Sequence, residues 1–220
     1  MRTATTWLSR TPSLDIPDMR EVQLISRTLL DKLAGDRDLL SRLVSEVVYD
    51  PERLAASRVT LLLNRLSIYQ APDRSFEIRL NMNPRPDNQL VPHDHCYAFA
   101  TRILAGGYVH VVRRRTNGWD GPFTGADLEP AIVTVERPGS AYTLDHTMVH
   151  QALMEPDTVT LFVRGPRRKT LSHAAKELMP PKEAWPDPAE SGDQAVESRP
   201  ATVEEYSRMR TYLIHCGLIS

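Results

Sequence analysis

From about residue 59 to about residue 164 the chain is divided into short segments in which apolar and polar residues alternate, each closed by a turn signal. Leu66-Ser67-Ile68-Tyr69 and Phe76-Glu77-Ile78-Arg79-Leu80-Asn81-Met82 have period two, the spacing of a strand with one buried face. Asn83 to Asn88 carries two prolines and is expected to be a turn. Further strands are expected near 97–105, 108–115, 131–136, 140–144, 149–154 and 158–164, punctuated by Gly106-Gly107, Asn117-Gly118, Pro138-Gly139 and Pro156-Asp157. Many short strands at this spacing close into a barrel or pack as a sandwich.

The flanks differ. Asp18 can cap a helix carrying Val22, Ile25, Leu29, Leu30 and Leu33, which Gly35 ends. Asp36 can cap a second helix with Leu39, Leu40, Leu43, Val44 and Val47 on one face, and Asp50-Pro51 can open a short third turn. Near the C-terminus, Thr202 and Glu205 form a capping-box pattern for a helix over about 202–216, with Met209, Leu213 and Cys216 as its packing face. The chain thus reads as a helical segment over 1–58 packed on a barrel over 59–175. A proline-rich, acidic arm with a last helix follows over 176–220.

With 27 basic and 28 acidic residues the net charge is −1, so no overall field favours nucleic acid or a membrane surface. Arg113-Arg114-Arg115 and Arg167-Arg168-Lys169 are short and read as solvated strand ends. No apolar run reaches membrane-spanning length, and Met1 to Arg10 lacks a signal-peptide core. Two cysteines, Cys96 and Cys216, are too few for a disulfide framework, and a reducing cytoplasmic setting is expected. Exposed barrel strands favour a homodimer.

Chemistry concentrates in the histidines. His93 and His95 are two residues apart, so on a strand both imidazoles point to one side. His150 comes from a later strand and can complete one face of a metal's coordination sphere. Three protein ligands leave positions open for substrate, as catalytic sites require. His146 lies four residues before His150 and is the alternative third ligand or a supporting group. His110, His173 and His215 carry no assigned role.

The order HxH, strand, Gly106-Gly107, then Pro138-Gly139 and His150 resembles the two-part signature of the cupins over roughly residues 66–166. It implies a mainly β fold, a cupin-type β-barrel (jelly roll) flanked by N-terminal helices and a C-terminal helix. Within that superfamily, Phe76 to His95, Ala141-Tyr142 with Asp145 and His150, and Arg164-Gly165-Pro166 resemble thiol dioxygenases of the cysteine dioxygenase type. The resemblance implies ferrous iron held by three histidines and no glutamate. Cys96-Tyr97-Ala98-Phe99-Ala100 accordingly holds no Glu. The family's Ser-His-Tyr relay corresponds to Thr160, Phe162 and Arg164, its crosslinking cysteine to Ala100, and its substrate arginine has no match near Tyr69-Gln70-Ala71. Cysteine as substrate therefore does not transfer.

The expected activity is that of a mononuclear non-haem iron oxygenase using dioxygen on a small polar metabolite such as a thiol or amino-acid derivative. The alternatives are a non-redox isomerase or lyase with Zn, Ni or Mn, and a non-catalytic small-ligand-binding cupin. Arg164 is expected to anchor a substrate carboxylate, since its guanidinium makes bidentate pairs. Tyr97, Tyr142 and His146 are candidates for hydrogen bonding or proton transfer.

Overall fold

A computed structural model describes residues 6–60, 63–83, 87–118, 121–178 and 199–220. Of the side chains at positions 87–90 nothing is described. Most of the acidic arm, which the sequence suggests as lid or tether, lies outside the described residues.

The helices form where their caps place them. Helix α1 spans Met19–Gly35 with Asp18 accepting from the Arg20 N–H. Helix α2 spans Arg37–Glu46 with Asp36 accepting from the Leu39 N–H, and α3 spans Pro51–Ala56 behind Asp50. Near the C-terminus α4 spans Val203–His215, and the Thr202–Glu205 capping box closes reciprocally.

The strands are β1 (Arg58–Val59), β2 (Asn64–Gln70), β3 (Glu77–Asn83), β4 (Asp87–His93), β5 (Phe99–Ala105) and β6 (Tyr108–Arg113). They continue as β7 (Ile132–Glu136), β8 (Ala141–Leu144), β9 (Val149–Met154), β10 (Thr158–Arg164) and β11 (Arg199–Pro200). One sheet has the order β11-β1-β2-β3-β10-β5-β8 and the other β4-β9-β6-β7, with every paired ladder antiparallel. From β3 to β10 the eight inner strands divide four to each sheet, β3-β10-β5-β8 facing β4-β9-β6-β7, with β6 and β7 as the one hairpin within a sheet, which is the jelly-roll order. The fold is a cupin-type jelly roll with helices added at both ends. Strand β4 begins at Asp87, inside the stretch expected as a turn, and it tolerates Pro92 near its end because it is an edge strand.

The main hydrophobic core does not fill the barrel. On β3, Ile78, Leu80 and Met82 point away from the lumen, as do Leu66 and Ile68 on β2 and Val159, Leu161 and Val163 on β10. They join one cluster with Val22, Leu29, Leu30 and Leu33 of α1, Leu39, Leu40, Leu43 and Val44 of α2, and Met209 and Leu213 of α4. Arg102 on β5 also faces this layer and pairs with Asp31 of α1 at 2.5 Å. The opposite faces of the same strands present Glu77, Arg79 and Asn81 (β3), Arg65 (β2) and Thr160 (β10) to the barrel interior. Ala100, aligned above with a crosslinking cysteine, is buried in the helix–sheet core, while its neighbours Phe99 and Thr101 face the lumen. Position 100 therefore points away from the barrel interior, because the two faces of β5 alternate.

Leu80 is fully buried between sheet and helices. Leu80→Ala is expected to cost about 2–5 kcal/mol in urea unfolding through lost transfer energy and a residual cavity. A cost under 1 kcal/mol would place the core elsewhere.

Candidate metal centre

His93 is the last residue of β4 and pairs across the ladder with His150 of β9. His95 lies just beyond the strand end, in the turn that leads to β5. One ring nitrogen from each of His93, His95 and His150 lies within 4.8 Å of the other two. The Nε2 atoms of His95 and His150 are 2.8 Å apart. Two imidazoles bound at right angles to one ion at ordinary metal–nitrogen lengths would sit ~3 Å apart, close to this spacing.

The far side of two of these rings is engaged. His93 Nδ1 donates to the Val91 carbonyl at 2.9 Å, which leaves its Nε2 lone pair free. His150 Nδ1 lies 3.0 Å from His110 Nε2. The metal-competent tautomer of His150 carries its proton on Nδ1 and donates to His110. His110 Nδ1 then faces Glu136 Oε1 at 3.9 Å. Burial pushes His93 down from its ordinary range, and His95 and His150 well below theirs. Burial likewise takes His110 to about 4. Neutral, desolvated imidazoles are the form a divalent transition metal needs, so the residues fit such an ion.

Asp94 lies between two of these histidines but turns away from them and is fully buried. It accepts from Arg115 Nη1 at 3.1 Å, from the His173 N–H at 2.8 Å and from Lys169 Nζ. Two buried cations and a backbone donor on one carboxylate fix the loop and so aim the flanking rings.

The cavity beside the histidines, about 80 Å³, is lined by His95, His150, Tyr97, Phe99, Arg65 and Arg79, among others. Arg65 makes no hydrogen bond or ion pair among the described residues, and burial and the Arg79 guanidinium push it down from its usual value. Arg79 donates from Nη2 to Glu77 at 2.7 Å, while its buried Nε has no hydrogen-bond partner among the described residues. Burial raises the Glu77 carboxyl, but Arg79 and Arg164 outweigh it and hold the group at about 2. A roomier groove of about 240 Å³ under α4 holds no histidine or cysteine. Its Glu205, Arg208 and Tyr212 are paired with Arg199, Glu204 and Asp157. Chemistry therefore points to the smaller cavity.

The other expected site residues are placed as follows. Arg164 donates from Nε to Glu77 at 2.6 Å and lies over the Tyr97 ring, outside the cavity lining. Arg164 shares its face of β10 with Thr160 and Phe162 but sits at the strand's end on Glu77, and the guanidiniums that line the cavity are those of Arg65 and Arg79. Tyr97 stacks on His95 with ring centroids 5.5 Å apart. Tyr142 holds its hydroxyl 2.5 Å from that of Tyr108 and also bonds Thr101. His146 Nδ1 sits on its neighbour Asp145 at 2.6 Å and takes no part in the three-histidine group. His110 was missed, although its alternation with Tyr108 and Val112 puts it on the same strand face as both.

No protein-family model matches the chain, and no curated protein matches it. Similar solved structures include KdgF from Halomonas sp., 19% identical over 50% of this chain and 85% of that one, with a TM-score of 0.37. An RmlC-like cupin from Shewanella frigidimarina is 16% identical over 48% of this chain and 78% of that one, with a TM-score of 0.34. The Cnp3 cupin domain of Schizosaccharomyces pombe is 11% identical over 47% of this chain and 60% of that one, with a TM-score of 0.34. Likeness at this level carries no argument about activity. Among the described residues, no helix is long and apolar enough to cross a membrane.

His110→Ala is expected to weaken metal binding about 10–100-fold while His93→Ala and His150→Ala abolish it, measured by competition with a chromogenic chelator. Unchanged affinity in His110→Ala would show that His110 does not support His150. In metal-free protein these imidazoles are neutral when folded and ordinary when unfolded, so the unfolded chain binds more protons below pH ~6.5. The melting temperature of chelator-treated protein should therefore fall as pH drops from ~6.5 toward 4. A flat profile over that window would contradict the desolvation of the cluster.

Proposed function

We propose that this chain is a mononuclear, three-histidine, iron-dependent oxygenase acting on a small metabolite that carries an anionic group, such as a thiol carboxylate or an amino-acid derivative. The observation that carries this reading is Arg65, a half-buried guanidinium with no acceptor among the described residues, facing the cavity shared by His95 and His150. A charged donor kept in a low-dielectric wall without a partner favours an anionic ligand group.

The site's own residues divide the work. His93, His95 and His150 would hold ferrous iron, which supplies oxygen activation at a centre that retains its +2 charge and open positions. Arg65 would take the substrate's carboxylate, with Arg79 oriented beside it by Glu77. Phe99 and Phe162, stacked at 5.0 Å, keep one wall apolar and limit water. The Tyr108–Tyr142–Thr101 hydroxyls hold a proton chain along the wall next to His150. Burial, first among its causes, raises Tyr142, so it stays protonated and acts as a donor. The cavity's size restricts the substrate to a few heavy atoms.

That hydroxyl chain also suits a non-redox isomerase or lyase using zinc, nickel or manganese, because such reactions move protons rather than electrons. Iron-loaded protein should consume oxygen with at least one carboxylate-bearing thiol or amino acid. No oxygen consumption with any of them, together with turnover under argon, would overturn the oxygenase reading in favour of the non-redox one. Arg65→Met should raise KM at least ~30-fold, equivalent to about 2 kcal/mol, and leave the melting temperature equal or higher. An unchanged KM would remove Arg65 from substrate binding.

A further inference from the structure

The second sheet ends on an edge that monomeric proteins ordinarily protect. Strand β7 is the outer member of the order β4-β9-β6-β7, and among the described residues nothing pairs with its free side. Its Ile132, Val133 and Val135 are 66%, 61% and 58% exposed. Soluble proteins blunt such edges with lysine, proline or a bulge, and β7 carries none of these between Ile132 and Glu136. The apolar surface continues inward, because Val135 lies beside Val109 and Val109 beside Leu153, both of which are exposed.

The occupant follows from the strand's own chemistry. Turned antiparallel about Thr134, β7 is complementary to itself. Val133 of one chain then stands opposite Val135 of the other on the outer face, and both pairs related by the two-fold axis are apolar. Ile132 stands opposite Glu136, and no like charges meet. Pro130 and Pro138 also fall opposite each other, so both prolines lie just outside the paired segment and end it at the same point. Glu136 accepts from the Thr134 hydroxyl at 2.7 Å and Arg137 pairs with Glu155 at 2.5 Å, so the flanking charges already have partners within the chain. A two-fold interface requires a patch that matches itself, and β7 meets that requirement. The outer face of the larger sheet is not available for this role, since α1, α2 and α4 cover it.

We propose that β7 pairs with β7 of a second copy of this chain, joining the two four-stranded sheets into one continuous eight-stranded sheet across a two-fold axis. Main-chain hydrogen bonds of the free edge supply the pairing, and the Val133–Val135 contacts set its register.

Sedimentation velocity of the full chain over roughly 1–100 µM tests this, with circular dichroism as the folding control. The wild type should sediment as a dimer. Val133→Lys/Val135→Lys places lysine opposite lysine twice and should give a folded monomer. Val133→Lys/Val135→Glu places lysine opposite glutamate twice and should restore the dimer. A monomeric wild type, a dimer that survives the double lysine, failure of the lysine–glutamate variant to recover it, or assembly beyond a dimer would each overturn the proposal. A monomeric wild type would leave the edge to a different protein.

Discussion

The structure depends on the packing of α1, α2 and α4 against the back of the seven-stranded sheet. That contact removes Ile78, Leu80, Met82, Leu66, Ile68, Val159, Leu161 and Val163 from water in one cluster with the helical leucines. Burial of this kind is the dominant stabilising term in folding. Because it is satisfied outside the barrel, the lumen need not be filled with apolar side chains. The other face of the same strands can then hold Arg65, Arg79, Asn81 and Thr160 beside His95 and His150.

A polar lumen has a cost, and two carboxylates offset part of it. Asp94 gathers Arg115, Lys169 and a backbone N–H behind the HxH turn. Glu77 gathers Arg79 and Arg164 beside the cavity. In each case one buried anion serves two cations, the arrangement in which removing the anion is more damaging than never having had the pair. Their effect is positional: Asp94 sets the rings on either side of it, and Glu77 sets Arg79 while occupying Arg164. Arg65 is left without an acceptor among the described residues, which is why it is the group proposed to select an anionic substrate.

Much of this was legible in the sequence. The caps at Asp18, Asp36, Asp50 and Thr202 marked the helices, and the turn dipeptides marked most strands. The spacing of His93 and His95 and the later His150 marked the cluster. What was not legible is which face of a strand is inside. Glu77, Arg79 and Asn81 alternate with Ile78, Leu80 and Met82, a pattern that reads as polar side toward solvent. Only the helical layer reverses it, and no local pattern announces where a distant helix will pack. Arg65 and Arg79 therefore carry no local mark of facing inward, whereas Arg164 drew attention because it shares a strand face with Thr160 and Phe162. His110 was hidden for a related reason: Tyr108, His110 and Val112 alternate with Val109 and Val111, so both phases of β6 look buried. The start of β4 was hidden because Pro84 and Pro86, just before it in the sequence, read as a turn extending to Asn88.

The proposed chemistry depends on three imidazoles acting together on one ion at the wall of this polar lumen. X-ray absorption at the iron edge of the iron-loaded chain reads that directly, because imidazole carbons give a characteristic outer-shell signal. Three imidazoles per iron, with no sulfur bound to it, are expected. Fewer than three imidazoles, or sulfur scattering from the adjacent Cys96, would contradict that expectation.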